Sequence, residues 1–296
     1  MVELMRTVRF AVNDSDRQDR DSSTPGWNTF SGYPSMRGLG RHYELEVTCL
    51  GSVDPVTGYF INIKEIDNAV RAAAIPMIAR ACRENPSGDP SAVLMTVMGP
   101  LDAALKGRLK RARWRLTPYY SIEMERPSPG QSQKVQKPFA LLRQQFEFAA
   151  SHRLHSRHLS DQQNRSLYGK CNNPSGHGHN YRVEPCVAVP VGGGAGAPQQ
   201  TGFSLGDLER LTHDLVIQRF DHKHLNLDTA EFGCGSADEG KEGLSPSVEN
   251  IAKVCFELLE PAIADLKNGA SLRSVTVWET DKTSCTYPSD ATPTLA

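Results

Sequence analysis

Long apolar runs are missing from this chain of 296 residues. None approaches the ~20 residues that cross a bilayer, which argues against a membrane-spanning helix. The opening MVELMRTVRFAVNDSD lacks the apolar centre of a secretory signal. Excess charge is missing too. The formal net charge is −1, so bulk electrostatics supply no pull toward nucleic acid or a membrane surface. The seven cysteines form no CxxC pair. An odd, scattered set argues for free thiols in a reducing cytoplasm and against a disulfide framework. Histidine is scarce in the first half, where His42 is the only one of nine.

The second half holds what the first lacks. Cys171-Asn172-Asn173-Pro174-Ser175-Gly176-His177-Gly178-His179-Asn180-Tyr181 puts two histidines two residues apart, just after a cysteine. On a strand, side chains two apart share a face, so His177 and His179 can serve one metal. His152 closes another alternating run, Phe146–His152. A strand there, paired with the first, brings a third imidazole to the same point. Three neutral imidazoles and an open fourth position suit a catalytic zinc better than a structural one. HGH alone recurs by chance, and exposed histidines in a turn need no metal. Asp221 directly precedes His222, as a carboxylate that orients a proton-transfer imidazole does. A histidine at a helix end, gaining only from the dipole, is the plainer reading of that pair. Ser247-Val248-Glu249-Asn250 opens a helical pattern, and Glu279 interrupts the apolar strand pattern Val275–Thr280.

Residues 146–287 resemble the 6-pyruvoyl-tetrahydropterin synthase family, which also includes 6-carboxy-tetrahydropterin synthases. FEFAASHRL, CNNPSGHGHNY, TGFSLGDLERL, FDHKHLN, SVEN and VTVWET stand in that family's order. The five-residue gap between Cys171 and His177 is similar to the biopterin-pathway type. Val248 departs from the hydroxyl residue usual there, and 229–244 reads as an inserted surface segment. The resemblance implies zinc on His152, His177 and His179, with Cys171 as general base. His222, oriented by Asp221, implies a proton relay, and Glu279 and Glu249 imply substrate contacts, Glu279 to the pterin amino and ring N–H groups. A thiol titrating near ~8.5 needs nearby positive charge to act as thiolate at neutral pH. The implied substrate is 7,8-dihydroneopterin triphosphate. The implied product is 6-pyruvoyl-tetrahydropterin, or 6-carboxy-tetrahydropterin with release of acetaldehyde, or both. A zinc-stabilised pterin-binding scaffold is the non-enzyme alternative, which has no use for Cys171 or His222.

The chain also reads as two copies of one unit: 1–126, a linker 127–138, and 139–296. Val8–Val12 mirrors Phe146–Ala150, Gly38–Val47 mirrors Gly176–Val183, and Thr57–Ile66 mirrors Thr201–Leu205 with its following helix. In that alignment Asp14, Leu39 and Arg41 replace the three histidines, Tyr33 falls opposite Cys171, and Glu123 is a candidate match for Glu279. Leucine offers no ligand and arginine stays protonated, so the first copy is expected to hold no metal. The fold class is α+β, each copy running strand, strand, helix, helix, strand, strand. By resemblance these are tunnelling-fold units that close a β-barrel on oligomerisation, which covers strand edges. Six units make a homotrimer, while a ring alternating the two halves favours a dimer or tetramer. In coarse detail, Arg182–Pro190 and Gly202–Leu205 suggest a hairpin around the glycines from 192. Leu208, Leu211, Leu215 and Phe220 form one helical stripe, and Ile251, Cys255, Leu258 and Ala262 another, capped by Ser245 or Ser247. The basic run Lys106–Arg115 suggests a solvated helix end, with a nucleic-acid patch or attraction of a polyphosphate as competing readings. His155, His158, His213 and His224 are expected at the surface.

Overall fold

The computed structural model describes residues 1–13, 26–126, 138–192, 202–233 and 243–288. The chain forms two compact units. One is Met1–Leu142 with Pro190–Thr201, the other Arg143–Val189 with Gly202–Ala296. The linker expected over 127–138 lies, but for its last residue, outside the described residues, as do Asp14 and most of the segment 229–244.

In the first unit, β1 (Val2–Val12), β2 (Arg41–Gly51), β3 (Leu109–Arg115) and β4 (Tyr120–Glu125) each run antiparallel to the next. Between β2 and β3 come α1 (Ile63–Ala69), α2 (Ile75–Glu84) and α3 (Pro90–Ala104). Asn62 and Asp89 cap α1 and α3 by accepting from backbone N–H groups, the usual use of short polar side chains at helix starts. Val8, Phe10, Leu45, Val47, Trp114 and Ile122 are buried, as are Ile66, Ile78, Leu94 and Leu101 of the helices.

Residues Leu109–Arg115 are therefore strand, not the helix end that their charge suggests. Leu109, Ala112 and Trp114 are buried while the cations between them reach outward. A bulge between Thr48 and Cys49 absorbs the break in strict alternation at Lys110. The cations meet carboxylates of neighbouring strands: Lys110 reaches Glu3 at 2.5 Å and Arg115 reaches Glu46 at 2.5 Å.

The unit boundary falls inside β5 (Phe139–Gln144). The second unit contains β6 (Phe146–His152), α4 (Asp161–Tyr168), β7 (His177–Pro190), α5 (Leu205–Thr212), α6 (Gln218–Phe220) and β8 (Lys223–His224). It continues with α7 (Leu225–Asp228), α8 (Val248–Ala264), β9 (Ser271–Thr280) and β10 (Thr283–Pro288). β6, β7, β9 and β10 form an antiparallel series, and β8 lies parallel to β6. Gly202–Leu205 does not form the expected second strand of a hairpin. β7 includes Arg182–Pro190, but Gly202–Leu205 is a turn in which Ser204 and Asp207 cap α5 reciprocally. Ser247 caps α8, whose buried stripe is Ile251, Cys255, Leu259 and Ile263 with their neighbours. Leu258 and Ala262 sit at its half-buried margin. Val248 is buried at the first turn, where it packs and leaves capping to Ser247.

The two units share a strand register. Phe10 pairs with Tyr43 as Phe148 pairs with Tyr181, and Val12 pairs with Arg41 as Ala150 pairs with His179. Leu39, 98% exposed, lies two residues before Arg41, as His177 lies before His179. Glu44 pairs with Arg115 and Arg182 with Trp278, so the counterpart of Glu279 is Leu116. Glu123, the expected match, belongs to β4 and faces Arg113.

Candidate active site

The ends of β6 and β7 build the centre of the site. His152 pairs directly with His177, and the period of two carries His179 to the same face. The three imidazoles each offer one nitrogen, all within 4.8 Å of one another. His152 Nε2 and His177 Nε2 are 3.2 Å apart. His152 is fully buried, and its Nδ1–H donates to the Pro246 carbonyl at 2.6 Å, with the Tyr181 hydroxyl 3.3 Å away. That bond fixes the tautomer and leaves the Nε2 lone pair for a ligand, as second-shell carbonyls do in metal sites. Burial pushes the His152 imidazole down to about 4 against the pull of the Pro246 bond. Burial likewise lowers His179, although the Glu279 carboxylate opposes it. Both shifts favour the neutral form, the one that coordinates metals.

The donor set fits a metal. His179 Nε2 is buried and makes no hydrogen bond, so its lone pair is unclaimed in a place where unpaired polar atoms are costly. Glu279 joins the group from the end of β9: its Oε1 lies 3.3 Å from His152 Nε2 and 3.5 Å from His179 Nε2. Imidazole nitrogens suit zinc, copper, nickel or iron.

Cys171 sits in the single turn Gly169–Asn172 that follows α4. Its carbonyl accepts from the Leu154 N–H at 2.9 Å. It is half-buried and borders an open cleft of about 910 Å³ with His177, His179, Arg153, Arg165 and Lys170. Asn172 braces this turn by donating to the Leu154 carbonyl at 2.7 Å. Gly176 then reverses the chain into β7 with φ +71°, and a Cβ there would meet His224 Nε2 at 2.8 Å and the His152 carbonyl oxygen at 3.0 Å. Only glycine gives the Cys171–His177 segment this path.

Asp221 and His222 form a second, smaller assembly. Asp221 Oδ1 accepts from the Ala149 N–H at 2.8 Å, and Oδ2 lies 2.8 Å from His222 Nδ1. The His222 N–H donates to the Ala149 carbonyl at 2.6 Å. The Ala149 bond, then His222, hold the Asp221 carboxyl below the usual range. His222 adopts φ +56°, a strained value for a non-glycine residue that these bonds maintain. Its ring is exposed and borders a cleft of about 430 Å³ with Ser151, Asn180 and His224. His179 borders both clefts, but Cys171 belongs to the first and His222 to the second.

Glu249, expected near the substrate, is exposed on the first turn of α8, and its electrostatic neighbour is Cys285. Of the histidines expected at the surface, His158 and His213 are exposed. His155 is half-buried and bonded to Asn172. His224 is likewise half-buried, bordering the second cleft with its Nδ1 enclosed and unpartnered, because β8 lays it beside the end of β6. Tyr181 and Pro246 went unread as parts of the site. Tyr181 could have been found, since it follows His179 by two positions on one strand. Nothing local marks the Pro246 carbonyl. The six described cysteines are free. Among the described residues no helix is long and apolar enough to cross a membrane.

Residues 141–290 match the family model described as 6-pyruvoyl tetrahydropterin synthase. The chain is 35% identical over 148 residues to a 6-pyruvoyl tetrahydrobiopterin synthase of Homo sapiens, covering 50% of this chain and 90% of that protein. It is 34% identical over 154 residues to one of Drosophila melanogaster, covering 51% and 81%. Among solved structures, the Caenorhabditis elegans 6-pyruvoyl tetrahydropterin synthase is 31% identical, covering 52% of this chain and 99% of that one, with a TM-score of 0.43.

Proposed function

The chain belongs to the 6-pyruvoyl tetrahydropterin synthase family, and from that premise we propose that it is a zinc-dependent lyase of pterin synthesis. Its proposed substrate is 7,8-dihydroneopterin triphosphate, from which triphosphate is eliminated to give 6-pyruvoyl-tetrahydropterin. One observation carries this reading: three imidazoles and a carboxylate converge beside a cysteine on a cation-lined cleft.

His152, His177 and His179 would hold the metal. When bound, zinc supplies Lewis acidity that favours the oxyanion and acidifies the neighbouring C–H of the substrate side chain. Cys171 takes the proton from that carbon. Arg153, Arg165 and Lys170, on the same cleft, offset the charge of the phosphates. His222 carries a proton to or from the side chain, with Asp221 fixing its tautomer. Glu279 receives the pterin's amino and ring N–H groups in a charge-assisted pair. Glu249 keeps a substrate role in this reading only as part of a neighbouring copy's site.

Because Cys171 and His222 border different clefts, a complete site takes Cys171 and the metal from one chain and Asp221–His222 from another. The protein is therefore a homo-oligomer, with a homotrimer as first choice. Light scattering that finds a monomer at micromolar concentration would sink this arrangement. Complementation tests it further. Cys171→Ala and His222→Ala chains, each inactive alone, should regain activity when co-refolded, since some sites then receive both intact groups. No recovery would mean that each chain builds its site alone.

Asp221→Asn should lower kcat by about 10²–10⁴, the range for a positioned proton-transfer group. Asparagine can still accept from the Ala149 N–H, but its NH₂ cannot accept from His222 Nδ1–H, so the tautomer is lost while the fold stands. An unchanged kcat would remove His222 from the chemistry. Product analysis by mass spectrometry after incubation with 7,8-dihydroneopterin triphosphate decides the reaction. The 6-pyruvoyl product supports the reading, the 6-carboxy product with acetaldehyde reassigns it, and unchanged substrate refutes it.

The first unit is a counterpart without ligands, Leu39 and Arg41 standing at the register of His177 and His179. The fragment 138–296 should then be tested alone. Full activity would show that the first unit is dispensable for the chemistry.

A further inference from the structure

We propose that Arg153 is the residue that selects a polyphosphate-bearing substrate, and that inorganic triphosphate by itself binds against it. The substrate half of this rests on the synthase reading above, whereas the anion site stands on the cleft alone.

The cleft beside Cys171 holds cations without counter-charges. Arg153, Arg165 and Lys170 border it, with Asp161 as the one carboxylate among its described lining residues. Elsewhere arginines are matched: Arg6 meets Asp67, Arg9 meets Glu44 and Arg219 meets Glu231, at 2.6–2.9 Å. Arg153, Arg165 and Lys170 make no such pair among the described residues. Asp161 stands in the first turn of α4, where a negative charge favours the helix start.

Arg153 differs from the other two in being held. Its N–H donates to Asn226 Oδ1 at 2.8 Å, and its carbonyl accepts from Asn226 Nδ2 at 3.1 Å. The side chain is half-buried, and Nε donates to the Asn172 carbonyl at 3.2 Å. Nη2 donates to His155 Nδ1 at 3.2 Å and lies 3.4 Å from Asn172 Oδ1. Asn172 is itself buried, and its Nδ2 donates to the Leu154 carbonyl and to His155 Nδ1. His155 Nδ1 therefore faces two donors and accepts from both.

Every one of these partners is a neutral acceptor. They fix the plane of the guanidinium and leave its charge uncancelled. The remaining nitrogen, Nη1, keeps both of its N–H groups for a ligand. A guanidinium fixed beforehand loses little freedom when an anion arrives. Arg165 and Lys170 are exposed, so they add attraction without a set direction. One oriented donor group with two mobile cations beside it suits a chain of phosphates better than a single small anion. Asn172, which pins Arg153, is also the residue next to Cys171. One short turn thus sets the spacing between the phosphates and the thiol.

Calorimetry of the full chain with inorganic triphosphate tests the site without any turnover. The wild type should bind it, and Arg153→Lys should bind it about 10-fold or more weakly, the loss of one charge-assisted hydrogen bond. Lysine keeps the charge and loses the planar fork, so equal affinity would overturn the inference. Arg165→Glu changes an exposed side chain and guards against misfolding. It should weaken triphosphate binding at an unchanged melting temperature. Undiminished affinity in Arg165→Glu would place triphosphate outside this cleft and overturn the site, as would a wild type that binds none. In turnover, inorganic triphosphate should compete with 7,8-dihydroneopterin triphosphate, and Arg153→Lys should raise KM. Inhibition that is not competitive, or an unchanged KM, would overturn the selection. A wild type that binds triphosphate but leaves 7,8-dihydroneopterin triphosphate unconverted would instead refute the synthase reading and leave the anion site standing.

Discussion

Replacing His177 by alanine should strip metal and activity from the protein together. His177 and His152 meet at 3.2 Å across a paired register, so loss of either imidazole opens the centre. Two imidazoles and a carboxylate remain, too few donors for a closed tetrahedral site, and zinc affinity follows ligand number. The wild-type chain should carry about one zinc, since three imidazoles gather in the second unit and the counterpart positions of the first offer leucine and arginine. Elemental analysis checks both statements. Two metals per chain, or none under metal-replete conditions, would refute the assignment. The fold should survive the change, because His177 is only half-buried at the start of β7.

The second large effect belongs to Cys171. Cys171→Ala should keep its zinc and its thermal stability while turnover falls by about 10²–10⁴. The side chain is half-buried in a one-turn segment whose backbone and neighbours make the local bonds, so alanine leaves no cavity of consequence. Cys171→Ser is the sharper variant. A hydroxyl fills the same space but does not ionise near neutral pH, so it should be about as inactive as alanine. Wild-type turnover in either variant would return Cys171 to an ordinary structural thiol and remove the proton abstraction assigned to it.

The meeting of His152, His177 and His179 is legible in the sequence because strand period alone brings it about. The α8 start at Ser247 and the α5 stripe are legible for similar local reasons. Lys106–Arg115 misleads, because six cations in ten residues hide the period of Leu109, Ala112 and Trp114 beneath them. The Gly202–Leu205 strand fails because Ser204 and Asp207 form a helix cap, a competing use of the same short polar residues. What stays unreadable is long-range. Pro246 reaches His152 from 94 residues away, through a carbonyl that every residue possesses. The separation of Cys171 from His222 depends on where β8 attaches, and two residues of strand leave no pattern.

The repeated register makes this molecule its own control experiment. Phe10 is registered with Tyr43 as Phe148 is with Tyr181, so a library of single substitutions would sample one strand register twice. At those aromatic pairs, cellular abundance should drop in both units and activity should follow abundance. One pair further along the strands the units diverge. Substitutions at Arg41 should leave activity per folded molecule where it was, whereas those at His179 should abolish it at normal abundance. Dividing the two responses position by position would separate residues kept for folding from residues kept for chemistry.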